Sequence, residues 1–427
     1  MESLASLTYN SRVKTLEGDR YLHKFSIRVF GCQMNSYDGD RLRTAMLHQK
    51  WEEVPDGEAD VVILVTCSIR EKAEQKVASE IGRYDAVYKK RKSPAVVLVG
   101  CMAQRIGREM AKKFSCVSLV SGPRHLGLVP QAVTEISAER PPRFFMDDDP
   151  RALLDLDVVP TARTNPFKAY VTITYGCDRF CSYCIVPYVR GRLQSRAAAD
   201  ILKETRTLID GGVKEITLLG QNVNSYGKDL GEDYNFSNLL EDVAKTNIPR
   251  IRFTTSHPWD FSEDMIKIIA KYDNIMPAIH LPVQSGNNEV LKLMGRRYSR
   301  EQYLELFHKI KEYIPDCTVT TDIIVGFPNE THEQYLDTLS LYQECEYDLA
   351  YTFVYSPRAG TPAAKMVDNV ASDEKDQRLY KLNEIVNEKA YKQNQRFLNK
   401  IVEVLVEGTS KKDDSMLTGY TRHQKLV

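Results

Sequence analysis

The sequence carries no excess charge: across its 427 residues, Lys plus Arg and Asp plus Glu both number 58, giving a formal net charge of zero. That excludes a bulk electrostatic pull on nucleic acid, so any polyanion site has to be a local patch. No apolar run is long enough to span a membrane, and Met1 to Lys14 holds no apolar core of signal-peptide length. No membrane partner is therefore expected, and a cytoplasmic location is. There thiols stay reduced, and grouped cysteines are more often metal ligands than disulfides. Fibrous repeats and low-complexity tracts are missing too. With 42% hydrophobic and 27% charged residues the composition is globular, and the length calls for two or three domains.

What the chain does have is nine cysteines, six of them in two sets of three. Cys32, Cys67 and Cys101 each follow a short β-branched run. The runs Phe25–Phe30, Val61–Val65, Ala95–Val99 and Val117–Val120 alternate with helix-like stretches at 36–49, 71–92 and 104–114. Such alternation predicts an open parallel sheet covered by helices, an α/β fold. In that fold the carboxyl ends of the strands share one edge, where ligands bind. Cysteines 34 or 35 residues apart in sequence then become neighbours. Gly31 and Gly100 would let the backbone turn tightly beside a bulky inorganic group. A structural thiol is the alternative at any one position; three at equivalent positions favour a joint site.

Residues 121–165, broken by Pro141-Pro142, Asp147–Asp149 with Pro150, Pro160 and Pro166, read as a connector. A second βα series follows, with strands at Ala169–Thr174, Glu215–Leu219, Arg250–Thr254, Ala278–Leu281, Thr318–Val325 and Ala350–Val354. Helical stretches such as 199–210, 262–272, 300–313 and 332–345 lie between them. Six units predict a partly closed barrel. Residues 371–398 read as a charged helix, and Ile401–Glu407 opens a β-type module.

The compact set, Cys177-x3-Cys181-x2-Cys184, follows the first barrel strand and so lies at the barrel mouth. Three thiolates are one short of a four-iron cluster, and the iron left open is a place for a small molecule. Zinc prefers paired C-x2-C spacing and a fourth ligand. A plain electron carrier would supply a fourth cysteine nearby, and none follows before Cys317. The later strands end in Gln221-Asn222-Val223-Asn224, Ser256-His257-Pro258, Gln284-Ser285-Gly286, Asp322, Gly326 and Tyr355-Ser356. Of these, Gln221, Asn222, Ser256 and Gln284 are the expected contacts to a polar cofactor, with loop capping as the alternative. His257 reads as a structural hydrogen-bonding group, and Cys116, Cys317 and Cys345 as packing residues.

The C-x3-C-x2-C motif, with an aromatic residue (Tyr183) before its last cysteine, resembles that of the radical S-adenosylmethionine enzymes. Gly31-Cys32-Gln33-Met34-Asn35, Thr66-Cys67-Ser68-Ile69-Arg70 and Gly100-Cys101-Met102-Ala103-Gln104 resemble the methylthiotransferase branch. So do Ile185-Val186-Pro187, Arg190-Gly191-Arg192, Gly220–Gly227, His280–Gly286 and Ser356–Pro362; Asn287 and Asn329 depart from the family pattern. The resemblance covers about residues 25 to 427. It implies a methylthiotransferase domain at 24–140, a linker at 141–165, a partial (β/α)6 radical barrel at 166–392 and an incomplete TRAM-like tRNA-binding module at 393–427.

By the same resemblance, Cys32, Cys67 and Cys101 hold an auxiliary 4Fe–4S cluster and Cys177, Cys181 and Cys184 a radical one. Tyr183 joins the S-adenosylmethionine contacts. One S-adenosylmethionine methylates a sulfur on the auxiliary cluster, and a second is cleaved to a 5′-deoxyadenosyl radical that activates C2 of an adenine. The implied substrate is N6-isopentenyladenosine at position 37 of the tRNA anticodon loop; threonylcarbamoyl-adenosine or a ribosomal-protein aspartate is the alternative. An external flavodoxin- or ferredoxin-like electron donor is the further partner, and the sulfur donor is left open. Arg190, Arg192 and Arg196, and separately Arg296, Arg297 and Arg300, are as clusters candidate phosphate contacts, each one alone reading rather as a solvated surface charge, while Lys411, Lys412, Arg422 and Lys425 make the tail basic.

Overall fold

The computed structural model describes residues 24–68, 71–137, 139–146, 149, 153–231, 233–410 and 412–427. Met1 to Lys14, Ile69, Arg70, parts of the connector (Asp147, Asp148, Pro150) and Lys411 lie outside these. None of the described helices is long and apolar enough to cross a membrane.

The N-terminal sheet is parallel throughout, in the order Glu52–Glu53, Lys24–Val29, Val61–Thr66, Ala95–Gly100, Val117–Ser121, Arg143–Phe145. Its central strands, Val-Val-Ile-Leu-Val-Thr and Ala-Val-Val-Leu-Val-Gly, are buried along their whole length. Helices therefore cover both faces, and two apolar clusters form, one around Leu42, Ile63 and Val97 and one around Val62, Ile81 and Leu98. Strand order reverses between Lys24–Val29 and Val61–Thr66, the switch point where an open sheet splays a crevice.

Arg143–Phe145, read from sequence as connector, pairs with Val117–Ser121 as an edge strand. Asp155 reaches back to Arg41 at 2.9 Å. This part of the connector is thus packed into the N-terminal unit.

The second unit has six parallel strands in two sheets: Lys168–Thr172, Glu215–Leu219 and Arg250–Phe253, then Ala278–His280, Thr318–Val325 and Leu349–Val354. A single bridge, Ile251 to Ile275, joins the sheets; among the described residues the first and last strands do not pair. The barrel is open along that seam. Alternation puts Ala169, Val171, Ile251, Phe253, Ile279 and Val319 outward into the helix-packed core, and their neighbours into the lumen.

The helix Gln33–His48 packs on the first barrel strand, with Met34 and Tyr37 against Tyr175 and Leu219. At the opposite end the hairpin Val404–Thr409/Leu417–Thr421 closes over the strand starts. Glu407 pairs with Lys168, Arg250 donates to the Thr421 carbonyl at 2.8 Å, and Lys425 pairs with Asp348 at 3.0 Å.

Candidate functional site

Each cysteine of the dispersed set sits at a strand's carboxyl end. Cys32 caps the helix Gln33–His48, Cys67 follows Val61–Thr66, and Cys101 opens the helix Cys101–Lys113. Two glycines make this possible. Gly31 has φ +110°, and a Cβ there would lie 2.2 Å from the Cys67 Cβ; Gly100 has φ +103°, with Thr66 O 2.5 Å from such a Cβ. Any side chain at either position would push the strand ends apart. The neighbouring Cys67 thiol pulls Cys32 down to about 5, helped by the Arg190 charge and the amides of Asn35 and Met34, against burial. Burial raises Cys101, with Arg190 opposing.

Arg190 is the residue that sequence reasoning misplaced most. It ends the short helix Val186–Arg190, and from the barrel side it is buried against the dispersed triad. Its Nε donates to Cys101 Sγ at 3.1 Å, and its Nη2 reaches Asn35 Oδ1 and Asp38 Oδ2, both at 3.3 Å. Arg196 is likewise turned inward, pairing with Glu204 at 2.7 Å and donating to Thr172 O at 2.7 Å. Neither is free to meet a phosphate. Of the three expected phosphate contacts only Arg192 stands at the surface, over the Phe180 ring at 4.3 Å and 3.4 Å from Asp178.

The compact set lies in the loop after Thr174–Tyr175. That loop is pinned by Cys177 N–H to Gly191 O (3.1 Å), Ser182 N–H to Met294 O (2.9 Å) and Ala363 N–H to Ser182 O (2.8 Å). Burial pushes the Cys177 thiol up to about 11 and the Cys184 thiol to about 12; a bound metal displaces such protons. Arg296, also expected at the surface, is buried here. It donates to Cys181 Sγ (3.5 Å), Pro282 O (2.7 Å) and Tyr298 Oη (3.0 Å). Among the described residues it has no carboxylate partner. Arg300 is tied to Glu344 at 2.9 Å, while Arg297 stays exposed.

Each triad thus has one buried guanidinium aimed at one of its sulfurs. A buried cation needs a counter-charge; Arg190 has Asp38 beside it, Arg296 has no carboxylate among the described residues, and a thiolate-ligated four-iron cluster is net negative, so the compact site above all suits that group. Among the described residues no three His, Cys, Asp or Glu side chains converge on a point for a single metal ion. A cluster gives each thiolate its own iron and needs no such convergence.

Around the barrel mouth several polar atoms are buried without a partner: Asn222 Oδ1, Asn224 Oδ1, Ser256 Oγ, His257 Nε2 and Thr174 Oγ1. Asn222 spends its amide on Ser225 Oγ and Asp260 Oδ2, both at 2.6 Å, leaving its oxygen free. His257 Nδ1 accepts from Trp259 N–H at 3.3 Å, so its proton sits on the unpartnered Nε2. Burial, with Arg296, Arg179 and Lys228 nearby, holds that ring neutral. Gln221 is occupied, accepting from Gly176 N–H. Gln284 takes φ +72° while its backbone bonds Asp322 O and Ile324 N–H at 2.9 Å each. Tyr183 packs beside Val290, Met294, Phe327 and Tyr355. Orphaned donors and acceptors at neighbouring strand ends are what a polar ligand would satisfy.

A model described as the radical SAM superfamily matches residues 171–342, and one described as uncharacterized protein family UPF0004 matches 24–122. The chain is 48% identical over 407 residues to the tRNA-2-methylthio-N(6)-dimethylallyladenosine synthase of Staphylococcus haemolyticus, covering 94% of this chain and 79% of that one. It is 46% identical over 431 residues to the synthase of that name from Bacillus subtilis, covering 99% and 84%. In fold it is similar to the radical S-adenosylmethionine methyltransferase TsrM of Kitasatospora setae, with TM-score 0.56 at 15% identity over 80% of this chain and 75% of that one. It is also similar to the cobalamin-dependent S-adenosylmethionine radical enzyme OxsB, with TM-score 0.53 at 11% identity over 86% and 56%. The chain belongs to the radical S-adenosylmethionine methylthiotransferase family, among the tRNA-2-methylthio-N(6)-dimethylallyladenosine synthases.

Proposed function

We propose that this tRNA methylthiotransferase inserts a methylthio group at C2 of N6-isopentenyladenosine at position 37. It would use two S-adenosylmethionine molecules and two 4Fe–4S clusters, one on Cys32, Cys67 and Cys101 and one on Cys177, Cys181 and Cys184. The observation that carries the reading is the pairing of each incomplete cysteine triad with its own buried arginine, Arg190 on Cys101 and Arg296 on Cys181. When bound, a reduced open-iron cluster with S-adenosylmethionine supplies the one-electron chemistry that an unactivated aromatic C–H demands.

The chain's own residues do the holding. Arg190 reaches from the barrel to the dispersed triad and fixes the two units in one register. Asn222, Asn224, Ser256 and His257 offer their unpaired polar atoms to the cofactor's ribose and base, while Gln221 and Gln284 shape the rim. The adenine is reached in a single-stranded loop, where a base can be splayed out and read, with Arg192 and Arg297 as the exposed cations for its phosphates. Electrons come from an external flavodoxin- or ferredoxin-like donor, and sulfur from a separate donor.

The test is nucleoside mass spectrometry of isopentenylated tRNA lacking the methylthio group, after anaerobic incubation with reconstituted protein, reductant, sulfide and S-adenosylmethionine. The 2-methylthio nucleoside is the expected product. Turnover of threonylcarbamoyl-adenosine tRNA or of a ribosomal-protein aspartate, with none of isopentenyladenosine, overturns the substrate assignment.

A further inference from the structure

The barrel lumen is a cavity of about 790 Å³, walled by the inward faces of the strands, by the helix Gln33–His48 across the open seam and by the C-terminal hairpin below. Its exposed residues Thr164, Tyr351 and Asn394 mark where it meets solvent. Thr254 Oγ1 lies 3.3 Å from the Gln33 side-chain oxygen, which links the lumen wall to the residue after Cys32.

Nearly every charge on this wall has a partner. Lys168 pairs with Glu215 and Glu407, Lys425 with Asp348, His423 with Asp316 and Asp40 with Arg43. Arg252 has none. It points inward from Arg250–Phe253, since Ile251 and Phe253 take the outer face. Its Nε is buried and unbonded, and the guanidinium makes no hydrogen bond or ion pair among the described residues. Glu215, the carboxylate that favours its charge, is already shared by Lys168 and Arg250, the latter at 3.0 Å. The exposure Arg252 keeps is to the cavity. Burial acts against its charge, and a cation held there unpaired costs stability that an arriving anion would return.

The surroundings narrow the anion. Tyr170 and Tyr351 turn aromatic rings into the same space, with His280 edge-on to Tyr351 at 5.9 Å. A guanidinium fork matches phosphate oxygens, and aromatic faces take a base by stacking. The volume falls in the range of sites that enclose one ligand of nucleotide size.

We propose that the lumen is a nucleotide-sized site in which Arg252 binds a phosphate and Tyr351 and Tyr170 offer stacking faces to its base. This rests on the tRNA reading for the most direct source, a loop nucleotide entering by the seam; a free nucleotide offers the same chemistry.

The test compares Arg252→Met and Arg252→Lys with the wild-type protein in cluster-reconstituted form. Binding of an isopentenylated anticodon stem-loop RNA is measured against salt concentration. Adenosine 5′-monophosphate is the second probe, and melting temperature without ligand is the third readout. In Arg252→Met, RNA affinity is expected to fall about tenfold and the salt slope to become shallower by about one phosphate contact. S-adenosylmethionine affinity should stay unchanged. Melting temperature should hold or rise, because an unpaired buried charge has gone. Arg252→Lys should recover part of the affinity.

Competition by the monophosphate in wild type but not in Arg252→Met identifies a free nucleotide as the occupant; RNA binding alone identifies the loop. If the wild type binds no RNA, the tRNA reading fails, and the monophosphate arm still decides the lumen. Unchanged affinity and slope for both probes, with a lower melting temperature, overturns the proposal and makes Arg252 a structural side chain.

Discussion

Cys177→Ala is expected to abolish 5′-deoxyadenosine formation from S-adenosylmethionine, whereas Cys67→Ala keeps that cleavage and loses methylthiolation. The reasoning is geometric. Cys177 belongs to a loop held by its own bonds to Gly191 and by the Ser182 bonds to Met294 and Ala363, all within the barrel unit. Cys67 lies on the N-terminal sheet, buried beside Gly31. Of the side chains that join the two regions, Arg190 is the one hydrogen-bonded to a triad sulfur, and it touches Cys101 and not Cys67. Losing Cys67 therefore leaves the radical loop's supports intact. Deoxyadenosine is quantified by chromatography after anaerobic reduction, with the radical cluster's paramagnetic signal as the loading control. Equal loss of both activities in Cys67→Ala, with that signal undiminished, would contradict the division of roles.

Arg296→Met should make the radical cluster harder to reduce and slow S-adenosylmethionine cleavage by at least about tenfold, since hydrogen bonds to cluster sulfurs and local charge set cluster potentials. Arg296 is buried among Cys181, Tyr298 and Pro282 O, with its cation 5.4 Å from the Tyr298 ring centroid. Among the described residues no carboxylate neutralises it. A cluster on Cys177, Cys181 and Cys184 would be its counter-charge. Lysine keeps the charge but cannot reach Cys181, Pro282 and Tyr298 from one planar fork, so Arg296→Lys should fall between. Redox titration followed by electron paramagnetic resonance reads the shift directly. An unchanged potential in Arg296→Met would reduce Arg296 to a packing role.

The cysteine triads were legible because spacing and strand ends determine them. Glycines 31 and 100 and the apolar runs before them locate Cys32 and Cys101 on one sheet edge. Six βα units likewise announced the barrel, and the hairpin began near the expected residue. Charge was the poor guide. Arg190, Arg196 and Arg296 read as surface cations because burial of an arginine depends on partners brought in from far along the chain: Cys101 and Asp38, Glu204, and Cys181. A weak signal for Arg190 was present, since it closes the apolar helix Val186–Arg190 and its Val189 is buried. Arg252 had a clearer one. In Arg-Ile-Arg-Phe the apolar residues face the covering helices, so period two turns Arg252 into the lumen. Arg143–Phe145 escaped notice because three residues after two prolines carry too little periodicity to announce a strand.

The central claim, two clusters on two cysteine triads, is tested most directly by counting iron and acid-labile sulfide per chain after anaerobic reconstitution. Wild type should hold about eight of each, and Cys67→Ala and Cys177→Ala about four each. About four in wild type, with Cys67→Ala no lower, would contradict the account and leave the Cys32, Cys67 and Cys101 set without a cluster.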